Sequence, residues 1–336
     1  MARLPLARIF LIAFFATVTV VPAVPQQAPR QPVRQPPEHG PPPPFFSGLT
    51  PEEVVRYSDG GAAVEHDRAP ADELAEHRRI GRALAALAPQ RKGVVDAYVV
   101  SIALDSDGNF SREAREAGRV LARRYDAVGR SITLAGPDGR GGADLPRGSP
   151  AHLAIVLARI AEIMDKREDV LVLYTTSHGA RIGVVYNDGD QGFGIIAPAR
   201  LAAMLDTLGI RRRLVVVSAC YSGLFVPALA GPDSAVLTAS VGDRTSFGCQ
   251  SDSDWTFFGD ALINHALRKA QPLDAASREA AALVSGWEAR ANVTPSLPQT
   301  FIGDDAQRWL ALLDRRTPRL ATAPVGRPAV SLLDRN

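Results

Sequence analysis

Continuous apolar runs, rather than alternating ones, mark the middle of this chain. Val170-Leu171-Val172-Leu173-Tyr174-Thr175-Thr176 and Leu214-Val215-Val216-Val217 are short and rich in β-branched residues. That is the pattern of strands buried on both faces. Residues 94–104, 131–134 and 234–240 read as further strands, and 299–302 as a last one. Between them the apolar positions take helical spacing. Ser111 caps a helix predicted to residue 124, and Ser149-Pro150 opens one to residue 166 with Leu153, Val156, Leu157, Ile160 and Ile163 on one side. Helices are also predicted at 72–88, 198–208, 222–230, 255–269, 274–287 and 307–313, with a short one opening at Pro51 after Thr50. Residues 105–109 read as a turn, and 136–148 and 183–194 as glycine-rich loops. Strands alternating with helices predict an α/β fold around a mostly parallel sheet.

The two ends break this pattern. Arg3 and Arg8 flank the basic start, residues 9–21 are apolar, and Val21-Pro22-Ala23 offers small residues for cleavage. The run is shorter than the ~20 residues of a spanning helix. Residues 1–23 are therefore expected to be a signal peptide and the mature protein periplasmic or secreted; an uncleaved anchor is the alternative, and only then would a membrane be a partner. Residues 24–47, with Pro41 to Pro44, are expected to form a disordered linker. The folded domain is expected over 48–315, followed by a flexible tail over 316–336.

Composition adds exclusions. Lys and Arg total 38 and Asp and Glu 36, so the chain lacks the basic footprint of a nucleic-acid binder. Hydrophobic residues make up 46%, enough for a sizeable core. The only cysteines are Cys220 and Cys249. In an oxidising compartment they could form a disulfide, while the setting of Cys220 favours a free thiol. No zinc spacing exists. Asp105, Asp107, Asn109 and Glu116 echo a calcium loop, but Phe110 stands where its sharp turn needs glycine. Neither a metal nor another cofactor is expected.

Two of the predicted strands run directly into reactive side chains: one into Ser177-His178-Gly179, the other into Ser218-Ala219-Cys220-Tyr221-Ser222-Gly223. In open α/β sheets ligands bind beyond the carboxyl ends of the strands. A cysteine between a strand and a following helix has its thiol pKa lowered by the helix dipole, and the thiolate is the nucleophile. With His178 as proton carrier and glycine N–H groups near an oxyanion, the pattern predicts acyl transfer. A Cys-nucleophile α/β-hydrolase is disfavoured, because that fold places its histidine after the nucleophile. A catalytically silent peptide-binding scaffold is the non-enzymatic alternative.

The paired motifs Thr176-Ser177-His178-Gly179 and Ser218-Ala219-Cys220-Tyr221-Ser222-Gly223 resemble the His-Gly and Ala-Cys signature of caspase-like cysteine peptidases. The closer resemblance is to the legumain, or asparaginyl endopeptidase, family, which includes the catalytic subunit of the GPI-anchor transamidase. Asp169, the segment Gly108-Asn109-Phe110-Ser111-Arg112, and Asp243 to Cys249 followed by Phe258-Gly259-Asp260 extend it, over roughly residues 93–270. The resemblance implies a caspase-like three-layer α-β-α sandwich and a cysteine endopeptidase acting on protein or peptide substrates, with transpeptidation open to the same acyl-enzyme. It implies His178 and Cys220 as the catalytic dyad and the backbone N–H groups of Gly179 and Cys220 as the oxyanion hole. It also implies a substrate pocket of Arg112, Ser218, Thr245, Ser246 and Asp260. Arg112 facing Asp260 would suit an Asn side chain, donating to its oxygen and accepting from its NH₂. The chain departs from the family at Ser218 and Ser177, where the family carries acidic residues.

Overall fold

Parity along the strands decides which face of the central sheet each side chain serves. In the computed structural model, residues 48–136, 145–189 and 191–334 are described; the expected signal peptide and linker lie outside them. The chain opens with α1 (Pro51–Gly60), β1 (Ala63–Glu65) and α2 (Pro70–Ala85). The first core strand, β2 (Ala97–Ala103), leads to α3 (Gly108–Arg124) and β3 (Ser131–Leu134), then α4 (Pro150–Ile163) and β4 (Val170–Thr176). Short strands β5 (Gly179–Ala180), β6 (Gly183–Asn187) and β7 (Gly192–Ile196) precede α5 (Pro198–Thr207) and β8 (Arg213–Ser218). The remainder is α6 (Phe225–Leu229), β9 (Ser234–Thr238), α7 (Phe257–Gly259), α8 (Leu273–Ala291), β10 (Gln299–Ile302) and α9 (Asp304–Asp314).

The main sheet runs β10-β9-β8-β4-β2-β3, parallel except for β10. Val99, Val172, Tyr174, Leu214, Val216 and Leu237 face one layer, made of α3, residues 255–267, α8 and α9. Tyr98, Val100, Leu171, Leu173, Val215, Val217 and Val236 face the other, made of α2, α4, α5 and α6. Every residue of β2, β4, β8 and β9 is buried. This is the predicted α/β class with helices on both faces, and the continuous apolar runs are its cause. Among the described residues no helix is long and apolar enough to cross a membrane.

Four features differ from the sequence expectation. First, residues 183–194 are not a plain loop. With β1 and β5 they form a second, antiparallel sheet ordered β1-β7-β6-β5, and a glycine in it lets backbones close up: a Cβ on Gly183 would meet the Ile196 carbonyl oxygen at 2.4 Å. Second, α3 begins at Gly108, with Asp107 as N-cap, three residues before the expected cap Ser111.

Third, residues 255–269 are not one regular helix. After the single turn of α7 the backbone widens to a π-helical turn over Asp260–His265 and tightens to 3₁₀ over Ala266–Arg268. A buried polar row follows this stretch: the Asn264 amide donates to Asp260 at 2.7 Å, and Arg268 donates to Asn264 at 3.0 Å. Fourth, the expected flexible tail is tied to this row by hydrogen bonds at Thr322, Val325 and Ala329. Asp260 accepts from the Ala329 N–H at 2.7 Å, Asn264 exchanges bonds with the Val325 backbone, and Trp255 donates to the Val325 carbonyl at 2.8 Å. Buried side chains supply bonds to the tail's backbone, so its lack of hydrophobic periodicity did not keep it off the domain.

Candidate active site

Register brings the two reactive strand ends together. Thr176 of β4 is the partner of Ser218 of β8, and beyond the last pair the Ser177 N–H still donates to the Ser218 carbonyl at 3.2 Å. His178 and Cys220 each lie two residues past that pair, on adjacent strands. Gly179 then passes directly over the nucleophile's backbone: a Cβ there would sit 2.0 Å from the Cys220 carbonyl oxygen and 2.9 Å from its nitrogen. Only glycine permits this approach. The backbones of Gly179 and Cys220, expected to hold an oxyanion, are thereby neighbours.

The turn after the nucleophile is sharp. Tyr221 takes a left-handed backbone with φ of 57°, uncommon for a residue bearing a side chain and frequent at functional sites. Its N–H donates to the Arg244 carbonyl at 2.8 Å, and the Arg181 guanidinium lies 4.9 Å from the centre of its ring.

The loop over residues 241–256 supplies the electrostatics of the thiol. The Ser246 N–H donates to the Cys220 sulfur at 3.2 Å, and the Ser246 hydroxyl stands 3.7 Å away. A hydrogen bond from the Cys249 thiol is the largest influence on Cys220. Burial opposes it, while the Ser246 backbone and hydroxyl and the charge of His178 reinforce it, and the Cys220 thiol is held down at about 6. The same bond, with burial, pushes the Cys249 thiol well up, so in this pair Cys220 is the group that ionises. The two cysteines are free thiols, not a disulfide. The following helix, expected to lower the thiol, is only a 3₁₀ turn at Ser222–Leu224 and five residues of α6; the activating donors come from Cys249 and Ser246 instead.

This predicts a pH dependence with a definite sign. The thiolate is present above the thiol pKa, so alkylation of Cys220 by iodoacetamide should rise with a midpoint near 6. Cys249→Ala removes the leading donor and should move that midpoint up, toward the ~8.5 of an ordinary thiol. Alkylation near neutrality should slow several-fold and converge with wild type at alkaline pH. Rates measured across the pH range by intact mass check this, and an unmoved midpoint would contradict the assignment.

His178 stands on the other side. Its ring is met edge-on by Phe110 at 5.0 Å. Its Nε2 lies 3.7 Å from the Asp107 carboxylate, and Asp105 joins them in one cluster whose polar atoms lie within 4.8 Å of each other. Glu116, the last member of the calcium-loop echo, is turned away to Arg268 at 2.7 Å.

The expected substrate pocket is brought together only in part. Ser246 is at the thiol, and Thr245 is exposed beside it. Ser218 is buried, its hydroxyl 3.1 Å from that of Thr256. Arg112 is drawn to the 251–254 loop, donating to the Ser251 and Ser253 carbonyls and lying 3.2 Å from Asp254. Asp260 is fully buried, its carboxylate occupied by Asn264 and the Ala329 N–H with His265 at 3.6 Å. The expected pairing of Arg112 with Asp260 is therefore absent, because each satisfies a separate buried demand. Asp169 lies at the opposite end of β4 from His178 and accepts from the Asp96 and Asp165 N–H groups.

Sequence reasoning missed three residues. Cys249 stands in the sequence as the second cysteine and as the end of the Asp243–Cys249 stretch of the resemblance, with nothing to place it at the nucleophile. Asp107 belongs in the sequence to a predicted turn and to the calcium-loop echo, not to the histidine. Glu113, fully buried on α3, carried no signal, yet it accepts from the Tyr174 and Thr176 hydroxyls at 2.6 and 2.7 Å and from the Thr256 N–H at 2.7 Å. It ties α3, β4 and the segment beside Ser218 together beneath the site.

Comparison with known proteins bears on this arrangement. No curated protein sequence matches the chain. A crystal structure of caspase-1 from Spodoptera frugiperda aligns at 12% identity with a TM-score of 0.43, over 64% of this chain and 92% of that one. Residues 152–304, which include both His178 and Cys220, match the model of the Peptidase C13 family, and that match supports a cysteine peptidase.

Proposed function

We propose that this chain is an exported cysteine endopeptidase of the legumain-like type, with Cys220 as nucleophile and His178 as proton carrier. The observation that carries the reading is the convergence of a thiol held at about 6 with a histidine from the adjacent strand end, over a glycine that can only be glycine. In this reading the Cys220 thiolate attacks the scissile carbonyl. The developing oxyanion is held by the Gly179 and Cys220 N–H groups. His178 gives its proton to the leaving amine, and water resolves the thioester. Export rests on the apolar segment at 9–21 with its small-residue cleavage point. Selection of Asn or Asp before the cut rests on the family resemblance alone, since Arg112 and Asp260 are engaged apart.

The test is a diverse peptide library incubated with the full-length chain and its secreted product, with cleavage sites read by mass spectrometry. Cleavage at a reproducible residue preference, blocked by a peptidyl electrophile that labels Cys220 once, is the expected result. No cleavage together with no labelling would reject the peptidase reading. Cleavage with no preference for Asn or Asp would reject the legumain-like specificity while leaving the chemistry in place.

A further inference from the structure

Three neighbouring strands of the sheet, β8, β4 and β2, end at the same edge. The first delivers Cys220 and the second His178. The third runs into Asp105 and Asp107 at the start of α3. We propose that Asp107 is the positioning residue of His178, completing an ordered Cys–His–Asp row across these strand ends; this rests on the peptidase reading above.

Four observations carry it. The Asp107 carboxylate lies 3.7 Å from His178 Nε2. Asp107 is the N-cap of a 17-residue helix, yet its side chain makes no capping bond, although an N-cap aspartate ordinarily spends its carboxylate on the first helical N–H groups. The carboxylate is turned toward the histidine instead. Its own backbone is held by a bond from the Asp107 N–H to Asp105 at 2.9 Å, and the neighbouring backbone is pinned where the Ser106 N–H donates to the Asn187 carbonyl at 2.9 Å. Finally, Phe110, two residues into the same helix, is fully buried and meets the His178 ring edge-on, so one short segment supplies both the wall and the charge.

The consequence is an assignment of the ring nitrogens. A carboxylate at Nε2 favours the proton there, leaving Nδ1 to face the reacting groups. In the forward step the bond between sulfur and the acyl carbon forms and the carbon–nitrogen bond breaks. The amine leaves with the proton from Nδ1 of the imidazolium, whose remaining proton stays on Nε2 beside Asp107. At 3.7 Å the pair is longer than a hydrogen bond, and catalytic contacts of this kind tighten when substrate binds.

The test compares Asp107→Asn and Asp107→Glu with wild type on an amide and an activated ester of one acyl group. An amide needs its leaving nitrogen protonated and an activated ester does not. Asp107→Asn should lower kcat on the amide about a hundredfold, with KM, ester cleavage and alkylation of Cys220 each within about threefold, and Asp107→Glu should regain part of the loss. Amide cleavage near the wild-type rate, or equal loss of amide, ester and thiol reactivity, would overturn the proposal. Ring-nitrogen NMR of His178 supplies a readout independent of turnover. Nε2 should carry the proton in neutral wild type and lose that bias in Asp107→Asn, and identical spectra would overturn the proposal even if the wild type cleaved no peptide.

Discussion

Cys220→Ala is expected to lower peptide cleavage by at least about a thousandfold while leaving the fold intact. The fold survives because the substitution removes one sulfur at a strand end and disturbs no core side chain; neither hydrophobic layer includes Cys220. Its cost is the acceptor lost to the Ser246 N–H, set against relief from holding a half-buried, ionisable thiol, so the thermal midpoint should move by only a few degrees either way. Cys220→Ser should be almost as inactive. A hydroxyl in the same place is not ionised by the donors that hold the thiol at about 6. It would need a base that removes its proton, whereas in the proposed mechanism His178 delivers one. Initial rates on a peptide substrate, with a melting curve for each variant, check this. An alanine variant retaining a tenth of wild-type activity would place the nucleophile elsewhere.

What the sequence could reveal about this fold depended on how far each feature was set by local chain chemistry. β2, β4, β8 and β9 are buried on both faces, so each had to be written as an unbroken apolar run. The ends of those runs then located His178 and Cys220, because a strand that stops at a reactive residue in a parallel sheet delivers it to the ligand-binding edge. β1 and β5, at three and two residues, are too short for any period to appear. Gly183, Gly192 and Gly194 in their partner strands imitate a loop, although Gly183 and Gly194 let backbones approach and Gly192 makes room for the Tyr186 side chain. Cys249 reaches the thiol, and Asp107 the histidine, by the tertiary path of a loop and by the point where a helix starts, and no spacing encodes either. The expected pairing of Arg112 with Asp260 is absent for a related reason. Both are polar residues whose partners, the 251–254 loop and the C-terminal segment, lack any apolar pattern that would predict where they pack.

Glu113→Ala is expected to be the most destabilising single substitution of a polar side chain near the site. The carboxylate is fully buried and holds three donors from two other segments: the hydroxyls of Tyr174 and Thr176 on β4, and the backbone N–H of Thr256. Its packing is equally close, since a Cβ on Gly259 would lie 2.2 Å from a Glu113 oxygen. Removing it strands those donors in a site water does not reach. Each orphan costs about 1–3 kcal/mol, and the losses share one cavity, so about 3–5 kcal/mol in total is expected. That is a large fraction of the ~5–15 kcal/mol that holds a typical domain folded. Glu113→Gln separates the chemistry from the volume. Its oxygen can keep the Thr256 N–H, which can only donate, while the two hydroxyls rotate to accept from its NH₂. Glutamine should therefore cost no more than half of what alanine does. Urea unfolding of the three proteins measures the difference. Because Thr256 also meets Ser218 at 3.1 Å, and Thr176 lies two residues before His178, the alanine variant should lose catalysis before it unfolds, with alkylation of Cys220 the more persistent activity. Equal stability of the glutamine and alanine variants would mean that packing, rather than the donors gathered on this carboxylate, holds α3 against the strand that carries His178.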